Sequence, residues 1–287
     1  MAPPPSSRLR RTMDSAFRIG LVVTLLVTLG PALLVACACR SFLYHPTRAD
    51  PAALAVGAWQ AAELPVAEGI VLRGLVRPPR AAADEAPRWI LFFGGNAMSL
   101  LSNRTVLQEL APEPGIGLAT FAYRGYDGSG GRPKEEHLLA DAETLAAHLE
   151  AEHGVRPDRL VILGQSLGTG VAIHLAAALA RKGSPPAGLG LLSPYTSMSR
   201  VFDDHVPVIP VGWAVTDSYR SERLAPELTP PIVIVHGDRD EVIPVYHARR
   251  LAEALGERVR YHELPGRHHN DLWDDPGTLE ALRGLLR

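Results

Sequence analysis

Four consecutive apolar residues, Leu160-Val161-Ile162-Leu163, run directly into Gly164-Gln165-Ser166-Leu167-Gly168, and a helical pattern begins at Leu167. A strand that becomes a helix within so few residues needs a very tight turn. The positions two before and two after the serine must therefore be small, and glycines stand at both. A strand apolar at every position suits a sheet buried on both faces, the usual setting of parallel strands covered by helices. This junction calls for a parallel α/β sheet in the middle of the chain.

The flanking sequence repeats that rhythm. Predicted strands are Ile70 to Val76, Trp89 to Phe93, Leu118 to Tyr123, Leu160 to Leu163, Gly188 to Leu192, Ile232 to His236 and Arg258 to Leu264. Between them lie predicted helices at Leu100 to Leu110, Glu135 to Glu152, Leu167 to Lys182, Val245 to Leu255 and Thr278 to Leu286. The expected architecture is one α/β domain over residues 69–287, a mostly parallel sheet with helices on both faces. Residues 193–231 break the alternation. They are rich in proline and carry only short helical stretches, so they read as a cap inserted over a site. Residues 40–68 read as a linker.

Ahead of the linker, Ile19 to Cys39 is a run of 21 residues without a charge. At about 1.5 Å per residue, 20 helical residues match a hydrocarbon core of about 30 Å. Arg8, Arg10, Arg11 and Arg18 precede the run. Residues 1–18 thus form a basic flank that the positive-inside rule places in the cytoplasm, with the main domain on the extracytoplasmic side. A single-pass signal anchor at 19–39 fits the length best, since secretory apolar regions run about 7 to 15 residues. Leu34-Val35-Ala36-Cys37 also fits a lipoprotein signal in which Cys37 is lipidated.

Residues 1–48 hold six Arg and one Asp, so the rest of the chain carries −7 of a total charge of −2. A body that acidic is a poor nucleic-acid ligand. Cys37 and Cys39 are the only cysteines, which excludes disulfides and thiolate metal sites from the main domain. Lys134 and Lys182 both lack the context of a phosphate-binding loop, and no three-glycine dinucleotide fingerprint is present. No cofactor is expected. The Gly-rich stretch from Tyr123 to Gly131 reads as a structural loop in which Arg124 pairs locally.

A serine exposed on such a turn is a candidate nucleophile, and it needs a base held by a carboxylate. The loop after the apolar strand Ile232 to His236 offers Asp238, Asp240 and Glu241. The loop after the last strand offers His268 and His269, whose adjacent side chains cannot both reach one serine. His268, His269, Asp271, Asp274 and Asp275 lack the spacing of a metal site, so none is expected. His205, Trp213, Asp217 and Tyr219 in the insertion either line a pocket or pack it.

Taken in order, Phe92-Phe93-Gly94-Gly95-Asn96-Ala97, the Tyr123 to Gly131 stretch, the Ser166 turn, His236-Gly237-Asp238-Arg239-Asp240 with Val242 and Pro244, and His269-Asn270-Asp271 resemble the α/β-hydrolase fold serine hydrolases. Within them the chain resembles a small membrane-anchored group related to protein depalmitoylases and serine aminopeptidase-like hydrolases, down to Leu43-Tyr44-His45-Pro46. The resemblance implies Ser166 as nucleophile, Asp240 as acid partner and His269 as base. It also implies an oxyanion hole made by the backbone N–H groups of Leu167 and Asn96. Gly94 stands where the group usually has His, and backbone donors are indifferent to that change. The implied substrate is a small acyl-containing or lipid-like molecule, cleaved at an ester, thioester or related bond. A peptidase and a non-catalytic binding protein are the alternatives, and the complete Ser, Asp and His set argues against the second.

Overall fold

The structure, a computed structural model, describes residues 43–80, 87–206 and 211–287, together with the isolated helical positions 18, 20, 22 and 30. Apart from the last three of these, the expected membrane segment 19–39, Cys37 included, lies outside the described residues. Among the described residues no helix is long and apolar enough to cross a membrane.

Eight strands form one sheet: β1 (Gln60–Ala67), β2 (Ile70–Arg77), β3 (Trp89–Phe93), β4 (Gly117–Phe121), β5 (Leu160–Gln165), β6 (Gly188–Leu192), β7 (Ile232–Gly237) and β8 (Val259–Leu264). Their spatial order is β1-β2-β4-β3-β5-β6-β7-β8. β1 and β2 join antiparallel, and every pair from β4 to β8 is parallel. All residues of β3, β4, β5, β6 and β7 are buried, as continuous apolar runs demand. Each such Leu, Ile, Val or Phe side chain contributes about 1.5–3 kcal/mol by leaving water.

The principal helices are α1 (Leu100–Leu110), α2 (Glu135–His153), α3 (Leu167–Arg181), α4 (Met198–His205), α5 (Tyr246–Leu255) and α6 (Pro276–Arg283). α2 packs on α3 on one face of the sheet, and α1 packs on α6 on the other. α3 is buried at twelve of its fifteen positions, so it serves as the hub between sheet and cap. The insertion after β6 contributes α4 and two short 3-10 segments, Gly212–Ala214 and Ser221–Glu227.

The expected linker is corrected by the structure. Leu43, Tyr44 and Trp59 are buried in the core, and β1 is the edge strand of the sheet. β1 escapes sequence patterning because Leu64 alone among its eight residues is buried. Pro65 sits in it beside a shift of register, a position that an edge strand tolerates because no neighbour needs its N–H.

Candidate active site

Every candidate residue follows the C-terminal end of a parallel strand, where α/β sheets build their sites. Asn96 follows β3, Ser166 follows β5, Asp240 follows β7 and His269 follows β8. The central element is the turn at Ser166, whose φ is +50°, in a region that side-chain-bearing residues avoid. The flanking glycines are a steric necessity. A Cβ at Gly168 would lie 2.1 Å from the carbonyl oxygen of Phe93, and one at Gly164 would lie 2.5 Å from that of Gly168. Backbone bonds hold the strained residue from both sides: Ser166 N–H donates to Leu192 O at 2.8 Å, and Thr169 N–H donates to Ser166 O at 2.9 Å.

Ser166 Oγ lies 3.0 Å from His269 Nε2, and His269 Nδ1 lies 2.8 Å from Asp240 Oδ2. With the hydroxyl donating to Nε2 and Nδ1–H donating to the carboxylate, the imidazole tautomer is set. The other carboxylates of the β7 loop point elsewhere. Asp238 accepts from Gly266 N–H, and Glu241 pairs with His268 at the surface. Of the two adjacent histidines, only His269 reaches the serine.

Two contacts of this array escape sequence reading. Ser193, directly after β6, donates its hydroxyl to Asp240 Oδ2 at 2.7 Å. His236, the fifth residue of β7, donates from Nε2 to Ile243 O at 2.8 Å and lies 3.2 Å from Asp240 Oδ2. Backbone N–H groups of Val242 and Ile243 donate to Asp240 Oδ1. Burial alone would raise the Asp240 pKa. The bonds from His236 and His269, the charge of His269 and the Ile243 amide outweigh it and hold the carboxyl well below the usual carboxylate range. The only sequence signal for Ser193 was its place at a strand end. His236 opens the His236-Gly237-Asp238-Arg239-Asp240 motif, but nothing in the sequence sets its ring beside Asp240.

Ser166 and Leu167 open into a cavity of about 460 Å³. Its walls are apolar: Leu43 from the N-terminal side, Met198, Val201 and Phe202 from α4, and Ile243 from the β7 loop. His205 lines it too, whereas Trp213 is 68% exposed and outside the lining. Asp217 and Tyr219 pack instead, both hydrogen-bonded to Tyr44. The first N–H groups of a helix have no intrahelical acceptor, and Leu167 is the first residue of α3. Asn96 faces the same cavity. The Gly-rich loop after β4 buttresses this region: Arg124 forms a buried pair with Asp141 at 2.7 Å, and Tyr123 O–H donates to Gly94 O at 2.7 Å.

A serine on a strained strand-to-helix turn, followed along the chain by its Asp and then its His, marks the class of the α/β hydrolases. Comparison agrees. The chain is 37% identical over 214 residues to an uncharacterized protein of Mycobacterium tuberculosis, covering 72% of each. It is 32% identical over 198 residues to human alpha/beta hydrolase domain-containing protein 17B, covering 69% of this chain and 65% of that protein. An α/β hydrolase structure from Vibrio vulnificus superposes with a TM-score of 0.68 at 23% identity, over 80% of this chain and 82% of that one. No family model matches the chain. The chain belongs to the α/β-hydrolase family, and its relatives support a hydrolase function.

Proposed function

We propose that the protein is a serine hydrolase that cleaves an ester, thioester or related acyl bond through an acyl-enzyme. The observation that carries this reading is His269 bridging Ser166 and Asp240, at 3.0 and 2.8 Å, at the wall of an apolar cavity. In the proposed cycle His269 Nε2 takes the Ser166 proton as Oγ bonds to the acyl carbon. Asp240 stabilises the imidazolium. The N–H groups of Leu167 and Asn96 hold the oxyanion, an effect of roughly 3–4 kcal/mol for a donor measured elsewhere. The bond to the leaving group then breaks, and His269 returns its proton to that group. Water, deprotonated by His269, attacks the acyl carbon, and Ser166 leaves with the proton. The cavity walls favour an acyl chain over a charged side chain at this position.

A fluorophosphonate probe and a short p-nitrophenyl ester test the reading together. Wild type should be labelled and turn the ester over, and Ser166→Ala should do neither. Wild-type turnover in Ser166→Ala would refute it. We further propose that residues 19–39 tether the domain to a membrane as a single-pass anchor with the domain on the extracytoplasmic side, supported by the arginine excess ahead of the run. Incorporation of a palmitate analogue that Cys37→Ser abolishes would replace the spanning anchor by a lipid anchor.

A further inference from the structure

We propose that His45 is a positioning residue for the loop that carries the second oxyanion donor, acting through the side-chain amide of Asn96. The proposal rests on the serine hydrolase reading above. Four contacts hold that amide. Oδ1 accepts from His45 N–H at 2.8 Å, from Tyr126 O–H at 2.8 Å and from Ala97 N–H at 3.1 Å. Three donors converging on one atom fix which end of the amide is oxygen. Nδ2 therefore donates to His45 Nδ1 at 2.7 Å, and the imidazole accepts there and carries its proton on Nε2.

The loop needs this support. Gly94 and Gly95 bring no side chains, and among the described residues the Gly95 N–H finds only the Met98 sulfur, a weak acceptor, at 3.1 Å. Ala97 is held at φ +59°. The loop also runs close beside the nucleophile: a Cβ at Gly95 would stand 3.4 Å from Ser166 Cβ. With glycines on one side and a strained residue on the other, the pinned Asn96 amide is what orients the intervening peptide N–H. An aim that drifts by about 1 Å weakens stabilisation of a developing oxyanion steeply.

His45 itself is held from further along the chain. Asp127 N–H donates to Thr47 O at 2.9 Å, and the Asp127 carboxylate accepts from Ala49 N–H at 2.6 Å and from Leu100 N–H at 2.7 Å. Asp127 thereby ties the segment at residues 47–49 to the first residue of α1, independently of the His45 ring. His45 is solvent-exposed, so its replacement leaves the core intact. Residues 43–49 thus form a strap that contributes a wall of the cavity at Leu43 and a prop for the loop at His45.

The test is steady-state turnover of p-nitrophenyl butyrate by the full chain, with fluorophosphonate labelling alongside. His45→Ala should lower kcat roughly 5- to 30-fold with KM changed less than about twofold, a smaller loss than removal of an oxyanion donor outright. His45→Asn, whose Oδ1 takes the place of Nδ1, should return kcat to within about threefold of wild type. Asn96→Ala should match His45→Ala, and the double variant should lose little more, because both act through one amide. Unchanged kcat in His45→Ala, no rescue by His45→Asn, or additive losses would each overturn the positioning role while labelling at Ser166 persists. Absence of wild-type labelling would overturn the serine reading and this one with it.

Discussion

Ser193 donates its hydroxyl to Asp240 Oδ2 at 2.7 Å from a backbone held at φ +47°. The strained conformation is stabilised by its own N–H, which donates to Val235 O at 2.9 Å, so β6 and β7 jointly aim the hydroxyl at the carboxylate. Five groups converge on Asp240: two backbone N–H groups donate to one oxygen, Ser193 and His269 donate to the other, and His236 Nε2 lies 3.2 Å from that second oxygen. A carboxylate so fully engaged has one orientation, and His269 inherits it.

Ser193→Ala removes one of those donors without creating a cavity of note. We expect kcat for a p-nitrophenyl ester to fall roughly 10-fold with KM unchanged, and stability to fall by about 1 kcal/mol, the usual net worth of one hydrogen bond. Steady-state kinetics and urea unfolding check the two numbers. Full activity in the variant would assign the aim of the carboxylate to His236 and the backbone alone.

Asp240 also makes stability depend on pH. Its folded pKa lies below the unfolded value of about 3.9, so ionisation favours the folded chain. The stabilisation is complete above the unfolded pKa and is lost as pH falls through the acid range toward the folded pKa. The difference in unfolding free energy between wild type and Asp240→Asn should therefore be flat from pH 5 to pH 8 and shrink below about pH 4. Urea titrations across that range measure it, and a gap that widened on acidification would contradict the assignment.

Val201 on α4 lines the cavity and is 6% exposed. Val201→Phe should fill space that a long acyl chain uses and a short one does not. We expect kcat/KM for p-nitrophenyl octanoate to fall at least about 10-fold, in line with the roughly 10- to 200-fold effect of one methylene in an apolar pocket, and that for the acetate to hold. Equal losses on both esters would mean that the acyl chain lies elsewhere.

Much of this arrangement is legible in the amino-acid order because the decisive signals are local. The run from Leu160 to Gly168 encodes a buried strand, a turn that only small residues permit and the start of a helix, and all three stand in the structure. Asp240 and His269 each follow a recognisable strand. What the sequence hides depends on neighbours far along the chain. Ser193 matters because β6 lies between β5 and β7. The His45 ring meets Asn96 across 51 positions. β1 is hidden for a different reason: an edge strand with one buried side chain has no apolar alternation to read.

Leu43 is buried, lines the cavity and is the fourth residue after the uncharged run that ends at Cys39. Only three residues therefore separate the uncharged run from a side chain that the domain buries. A form of the protein that begins at Leu43 would place a new α-ammonium group at the wall of an apolar chamber, beside a site proposed to accumulate negative charge on oxygen. The first residue chosen for a recombinant form is therefore part of the electrostatics of the cavity.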